Sequence, residues 1–136
     1  MEKENYEKII LDILNKDEAL SKEFIMFSNA LLDAAGFSDF PLSLKSKMVM
    51  DISMRLKSYL VLRMLDRLPP EAFKELDEFI ERLENSEEIQ NEDQLNKFKN
   101  FYKEFWFKYI PDFNDFIANS IKDFANLFLK GPKSNT

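Results

Sequence analysis

The residues able to do chemistry in this 136-residue chain are mostly carboxylates, because it has 25 Asp and Glu residues but no His and no Cys. Histidine is the commonest general base and metal ligand, and cysteine supplies thiolate nucleophiles and zinc ligands. A di-iron site in a helical bundle also needs Glu-x-x-His pairs, which this chain cannot provide. The composition therefore excludes zinc–thiolate sites, thiol nucleophiles and disulfides.

The other common site motifs are missing as well. With only two glycines, Gly36 and Gly131, the chain has no glycine-rich phosphate loop and no G-x-S-x-G turn for a nucleophilic serine. The acidic segment 85–93 lacks the glycine and the ligand spacing of a calcium loop. We therefore predict that the protein is not an enzyme and that it holds no metal and no cofactor.

The charge of the chain is acidic overall but alternates along its length. The net charge is −6, although segment 43–68 is net basic and segment 69–93 is strongly acidic. Nucleic-acid binding needs basic groups gathered on one face, so we expect no nucleic-acid partner. The alternation is typical of basic helices that lie beside acidic ones.

No apolar run approaches the roughly 20 residues that a membrane-spanning helix requires. The first residues, MEKENYEK, are polar and acidic, which is unlike a signal peptide. From these two features we expect a cytoplasmic protein.

Apolar residues recur with the period of a helix along nearly the whole chain. The scarcity of glycine also favours long helices with short connections. We predict an all-α fold, a compact bundle of five or six amphipathic helices that forms one domain over residues 1–130. Residues 131–136 are predicted to be a frayed tail. The helix count stays open because residues 3–35 could form one bent helix or two.

Helix boundaries are predicted from residues that bind the unpaired backbone groups at a helix end or that interrupt the backbone hydrogen bonds of a helix. Gly36 occupies the left-handed position that follows a helix, and Pro111 starts a sixth helix or kinks a continuous one. The predicted N-caps share a short polar side chain that accepts a hydrogen bond from the first turn: Asn15, Ser43 and Asn91.

Segment 98–116 is the most aromatic part of the chain, with nine rings in nineteen residues. Most of these rings share one helical face with Leu95, so they are predicted to be core. Phe107 points to the other side of its helix, towards Lys103, and Leu129 also opposes the apolar stripe of its own helix. Large apolar residues in such positions are typical of interaction surfaces.

The third predicted helix, residues 44–68, has apolar side chains on two faces, as expected for a central helix. Met50 and Met54 lie on one of these faces. Methionines of this kind either fill gaps in a core or line an adaptable surface.

Three segments carry a resemblance to a known family. They are LLDAAGFSDFP at 31–41, RLPPEAFKELDEFIERL at 67–83 and FWFKYIPDF at 105–113. In these segments the chain resembles a family of small, uncharacterised, all-helical proteins of candidate-phyla bacteria. The resemblance implies a helical fold and a cytoplasmic setting. It implies no catalytic residue, because the family has no assigned activity.

We predict from the sequence that the chain is a non-enzymatic protein–protein interaction module, an adaptor or structural subunit. Self-association into a homo-oligomer is one form that this interaction can take. Two alternatives stay open: peripheral membrane-surface binding through the aromatic C-terminal helices, and binding of a small apolar ligand in the bundle core. The membrane is the less favoured, since the polar faces of those helices carry both signs of charge. The candidate interaction surface consists of Phe107, Leu129, Lys103, Met50 and Met54.

Overall fold

Helices make up nearly all of the described chain. The computed structural model describes residues 3–85 and 92–130. Over these residues it contains six helices and no strand, which confirms the predicted all-α bundle. The helices are α1 (Lys3–Asn15), α2 (Glu18–Ala34), α3 (Leu42–Arg67), α4 (Pro70–Asn85), α5 (Glu92–Tyr109) and α6 (Phe113–Lys130).

The longest of these helices, α3, is the axis of the bundle. Its 26 residues extend about 39 Å at the standard helical rise. Buried side chains occur from Val49 to Leu65, so other helices cover α3 along most of its length. The expectation that this helix is central is therefore confirmed.

The first helix, α1, runs antiparallel to the second half of α3. At one end Lys3 forms an ion pair with Asp66. At the other end the Lys57 amine donates a hydrogen bond of 2.9 Å to Oδ1 of Asn15.

Residues 3–35 form two helices, because a turn at residues 16–17 interrupts the backbone ladder. The N-cap of α2 is Asp17, whose Oδ1 accepts a hydrogen bond of 3.2 Å from the Leu20 amide. The prediction that Asn15 caps this helix is wrong. Its side-chain oxygen is bound to Lys57 instead.

The second helix, α2, continues antiparallel to α3 and ends near its start, where Lys45 lies 2.7 Å from Asp33. Gly36 has a φ of +95°, as its predicted left-handed position requires. The Phe37 amide then donates a hydrogen bond of 3.0 Å to the Leu32 carbonyl and closes the end of α2.

Two predicted helix starts are displaced. The N-cap of α3 is Pro41, whose carbonyl accepts from the Lys45 amide at 2.9 Å, so the prediction of Ser43 is wrong. A proline has its φ fixed near the helical value and lets the helix begin two residues earlier than expected.

Pro111 lies between α5 and α6 rather than within either helix. The predicted cap at Asn91 and the predicted tail lie outside the described residues.

The last helix, α6, also runs antiparallel to α3. Just before its start, Asp112 pairs with Arg67 at 2.9 Å, and further along Asp123 pairs with Arg63 at 3.1 Å. These pairs join two basic residues of α3 to one aspartate just before α6 and one within it.

The helical hairpin of α4 and α5 packs at the C-terminal end of α3. The rings of Phe79 and Phe101 stack with their centroids 4.2 Å apart. The hydroxyl group of Tyr109 donates a hydrogen bond of 2.5 Å to Glu75. Basic Lys108 also pairs with this acidic helix, at 3.1 Å from Glu75.

The core divides into two parts along α3. At the aromatic end, α1, the second half of α3, α4, α5 and the start of α6 enclose Trp106 and Ile110. At the distal end, α2, the first half of α3 and the rest of α6 enclose smaller clusters around Leu32 and Leu56. The aromatic end therefore has more helices around α3 than the distal end.

We expect Gly36→Ala to lower the free energy of unfolding by about 1 kcal/mol, because a side chain disfavours positive φ. No atom lies within 4 Å of the Cβ position, so the cost is conformational rather than steric. Gly36→Asn should cost less, since asparagine tolerates this region. Urea unfolding of the three proteins measures both effects, and equal stability of all three would contradict the expectation.

Candidate functional site

Exposed apolar side chains are concentrated at the distal end. Among the described residues, every large apolar side chain with substantial exposure belongs to α2, to the connection before α3, to the first half of α3, or to the last turns of α6. Contiguous exposed apolar surface commonly marks a binding site. These side chains are Ile25, Met26, Phe40, Leu42, Leu44, Met50, Met54, Leu127 and Leu129.

Three of the five residues predicted for the interaction surface belong to this set. Met50, Met54 and Leu129 are 53%, 45% and 47% exposed. Lys103 is exposed as well, but it lies on α5 at the aromatic end. The five residues therefore do not share one surface.

Phe107 is only partly exposed, unlike the expectation from its helix face. The turn between α5 and α6 folds Phe113 back against it, with the ring centroids 5.2 Å apart. The helical wheel missed this contact because Phe113 belongs to the next helix.

An apolar groove of about 450 Å³ runs between α3 and α6 at the distal end. Its walls are mainly aromatic and aliphatic side chains, and its rim carries one acid and one base. The lining residues are Met48, Asp51, Ile52, Arg55, Tyr59, Phe124, Leu127 and Phe128.

The rim charges form an exposed pair within one turn of α3. Nε of Arg55 lies 3.0 Å from Oδ2 of Asp51, and both side chains are mostly in solvent. Exposed pairs of this kind contribute little to stability, so both groups remain available to a partner.

Two side chains that line one end of the groove, Tyr59 and Phe124, also make polar and ring contacts. Arg63 donates a 2.6 Å hydrogen bond to the Tyr59 hydroxyl group and pairs with Asp123 of α6. The Tyr59 and Phe124 rings also pack with their centroids 5.5 Å apart. The hydrogen bonds to Tyr59 and then to Asp123 raise the pKa of Arg63, so the guanidinium stays charged.

Sequence reasoning did not single out Asp51, Arg55 or Leu127. Leu127 shares the apolar stripe of α6 with Phe124 and Phe128, yet it is 63% exposed. The alternation of charge at Asp51 and Arg55 could have indicated an exposed α3 face.

A second cleft, of about 620 Å³, lies at the aromatic end between α1, α3 and α4. There the Tyr6 hydroxyl group donates a hydrogen bond of 2.5 Å to Asp77. Burial, the hydrogen bond and the negative charge of Asp77 raise the pKa of Tyr6 to about 12. The cleft is lined by both acids and lysines, including Asp66 and Lys74, so its charge does not favour one class of ion.

Lys57 is the only buried charged side chain among the described residues. Its amine donates hydrogen bonds to Asn15 at 2.9 Å and to Ser21 at 3.5 Å, and lies 5.5 Å from the centre of the Phe24 ring. Burial lowers the pKa of this amine. Since the side chain is only 5% exposed, it joins three helices rather than meeting a substrate.

No described helix is long and apolar enough to cross a membrane. Nor do the residues of the described ranges bring three or more acidic side chains together in a group that could hold a metal ion. Neither protein-family models, nor curated proteins, nor solved structures match the chain. The resemblance to the candidate-phyla family therefore stays a prediction.

We expect Lys57→Met to raise the free energy of unfolding near neutral pH, because it removes a buried charge but keeps a long apolar stem. Lys57→Ala should lower it by about 2 kcal/mol through lost packing. The gain from methionine should shrink as rising pH removes the proton from the folded-state amine. Urea unfolding across pH checks this, and a loss of stability in Lys57→Met would show that the amine is a net stabiliser.

Tyr6→Phe should make stability less sensitive to alkaline pH. The pKa of Tyr6 rises from 10 in the unfolded chain to about 12 in the fold, so its stabilising effect is complete below pH 10. That effect disappears between pH 10 and pH 12, where the unfolded chain loses its proton first. Wild type should therefore lose its advantage over Tyr6→Phe in this window, as measured by unfolding at a series of pH values. Parallel curves for the two proteins would contradict the assignment.

Proposed function

We propose that the chain is a non-enzymatic protein–protein interaction module, an adaptor or structural subunit that acts through its distal end. The observation that carries the proposal is the confinement of the exposed large apolar side chains of the described residues to that end. Burial of such a surface against another protein is a favourable process, since it removes apolar area from water.

The charges around this surface favour a protein over a lipid headgroup layer. Lys45 is paired with Asp33, and Arg55 with Asp51, so acids accompany the bases. A helix that lies on an anionic membrane has basic residues concentrated on its polar face. Mixed signs instead suit a partner with a complementary pattern of charge.

The packing of α3 also supports this proposal. Behind the exposed Met50 and Met54, the same helix buries Val49, Ser53 and Leu56 against its neighbours. The exposed side chains are therefore presented on a packed support, and little backbone order must be gained when a partner binds.

A photoreactive residue in place of Met50 tests the proposal in an extract of the native cell. We expect cross-links to a protein, either another copy or a different chain. Met54→Glu in the same protein should weaken that contact at least tenfold, or about 1.4 kcal/mol, because it buries an unpaired carboxylate. The matched control is Ala118→Glu, which adds the same charge at an exposed position on α6.

Two further measurements on the same proteins separate the alternatives. Flotation with anionic vesicles reports membrane binding, and native mass spectrometry reports a bound lipid. Vesicle binding or a bound lipid that Met54→Glu abolishes, without any protein cross-link, would contradict the proposal. Cross-links that neither Met54→Glu nor Ala118→Glu reduces would also contradict the proposal.

A further inference from the structure

One apolar stripe of α3 is covered over only part of its length. Its members lie within about 60° of one another around the helix, and they are Met50, Met54, Val61 and Leu65. The last two are buried in a core cluster with residues of α1, whereas the two methionines are exposed. The stripe is therefore buried at the aromatic end and open at the distal end.

The path of the chain explains where the cover of the stripe stops. The first helix, α1, follows α3 as far as Asn15, whose side-chain oxygen accepts a hydrogen bond from Lys57. The chain then turns at residues 16–17, and α2 packs on a neighbouring line of α3, where its apolar residues belong to other core clusters. The last two turns of the stripe towards the distal end are left in solvent.

Ile25 of α2 borders this open part of the stripe. The Lys57 amine donates a hydrogen bond of 3.5 Å to the Ser21 hydroxyl group, which brings α2 and α3 together at that level. Because the two helices are antiparallel, one turn towards the distal end leads from Ser21 to Ile25 and from Lys57 to Met54. Ile25 is exposed as well. We call Ile25, Met50 and Met54 the open patch.

Two lysines border the open patch, each three residues before one of its members on the same helix. Lys22 of α2 and Lys47 of α3 are both exposed, and neither forms an ion pair with another described residue. Asp51, beside the patch on α3, is paired with Arg55. On α2, Glu18 lies a further turn before Lys22, away from the patch. The border of the open patch thus carries two unpaired positive charges.

We propose that the open patch binds an amphipathic helix of another protein, whose flanking carboxylates pair with Lys22 and Lys47. The bound helix takes the line along α3 that α1 leaves, and its apolar face covers the patch. Methionine suits such a contact, because its flexible thioether adapts to the side chains of a partner. The opposite charges orient the helix as it binds. This inference rests on the proposed interaction function and names the chemistry of its partner.

A second copy of this chain and a membrane fit the open patch less well. The most acidic described helix, α4, buries its own apolar face at Leu76, Phe79 and Ile80, so α4 of a second copy has no apolar face to offer. Binding to an anionic membrane uses clusters of roughly four to eight basic residues. The two unpaired lysines at this patch are fewer than that.

Two synthetic peptides of about 15 residues, near the shortest length at which an isolated helix is marginally stable, are the probes. Both carry the same stripe of leucines, but one has glutamates along its flanks and the other has lysines. Fluorescence anisotropy measures the binding of each peptide to the full chain. The contact is small, so we expect a Kd on the order of 100 µM for the glutamate peptide and at least tenfold weaker binding of the lysine peptide.

Charge variants test the two proposed ion pairs. Lys22→Glu and Lys47→Glu should each weaken binding of the glutamate peptide about threefold, as expected for exposed pairs. The double variant should prefer the lysine peptide. The matched control is Lys122→Glu, the same change at an exposed position of α6, and it should keep the wild-type preference. Met54→Glu should abolish binding of the glutamate peptide, whereas Ala118→Glu should not. Circular dichroism checks that every variant keeps its helices.

Three results would overturn the inference. One is the absence of saturable binding of the glutamate peptide at ten times the expected Kd. The second is equal affinity for the two peptides, and the third is an equal effect of Lys47→Glu and Lys122→Glu.

Cross-linking from Met50 in the native extract separates this inference from the proposed function. We expect the cross-linked segment, identified by mass spectrometry, to have acidic residues beside an apolar helical face. A segment of a second copy, or one without such acids, would overturn the inference. A cross-link to either of these that Met54→Glu weakens would still support the proposed function.

Discussion

The structure depends on the burial of α3. A helix of 26 residues with apolar side chains on several faces is stable in water only if other helices cover it. The packing partners α1, α2 and α6 all run antiparallel to it, so their apolar stripes contact it over long distances. Two of these partners, α1 and α2, follow one another along α3, joined by the turn at residues 16–17, so together they cover most of its length.

Coverage of α3 differs between the two ends of the bundle. At the aromatic end, large rings such as Phe105 and Trp106 fill the space between five helices. At the distal end the described residues place α2 and α6 against α3, and the described rings there are fewer. One side of α3 therefore keeps apolar residues in solvent. Rings at the aromatic end fill the core, whereas Met50 and Met54 at the distal end remain exposed.

Ion pairs contribute to orientation more than to stability. The pairs between α3 and its neighbours, such as Arg63 with Asp123, are partly exposed, and exposed pairs contribute little to stability. The order of these pairs along α3 is nonetheless the order expected when each neighbouring helix runs antiparallel to α3. Lys57 differs, because its amine is buried among neutral partners at the junction of α1, α2 and α3. That arrangement lowers its pKa and indicates a cost of burial.

The sequence by itself determined the helices, the left-handed Gly36 and the central place of α3, because the helical period and the helix end at Gly36 are set by residues within a few positions of each other. It failed at two helix starts: the side-chain oxygen of Asn15 accepts from Lys57, 42 positions away, and Pro41 rather than Ser43 precedes α3. It also failed at Phe107, which Phe113 of the next helix covers. Only the tertiary structure decided which face of α3 stays open and brought Met48 and Phe128 together in one groove. These outcomes depend on contacts between distant residues, whose partners no local pattern identifies.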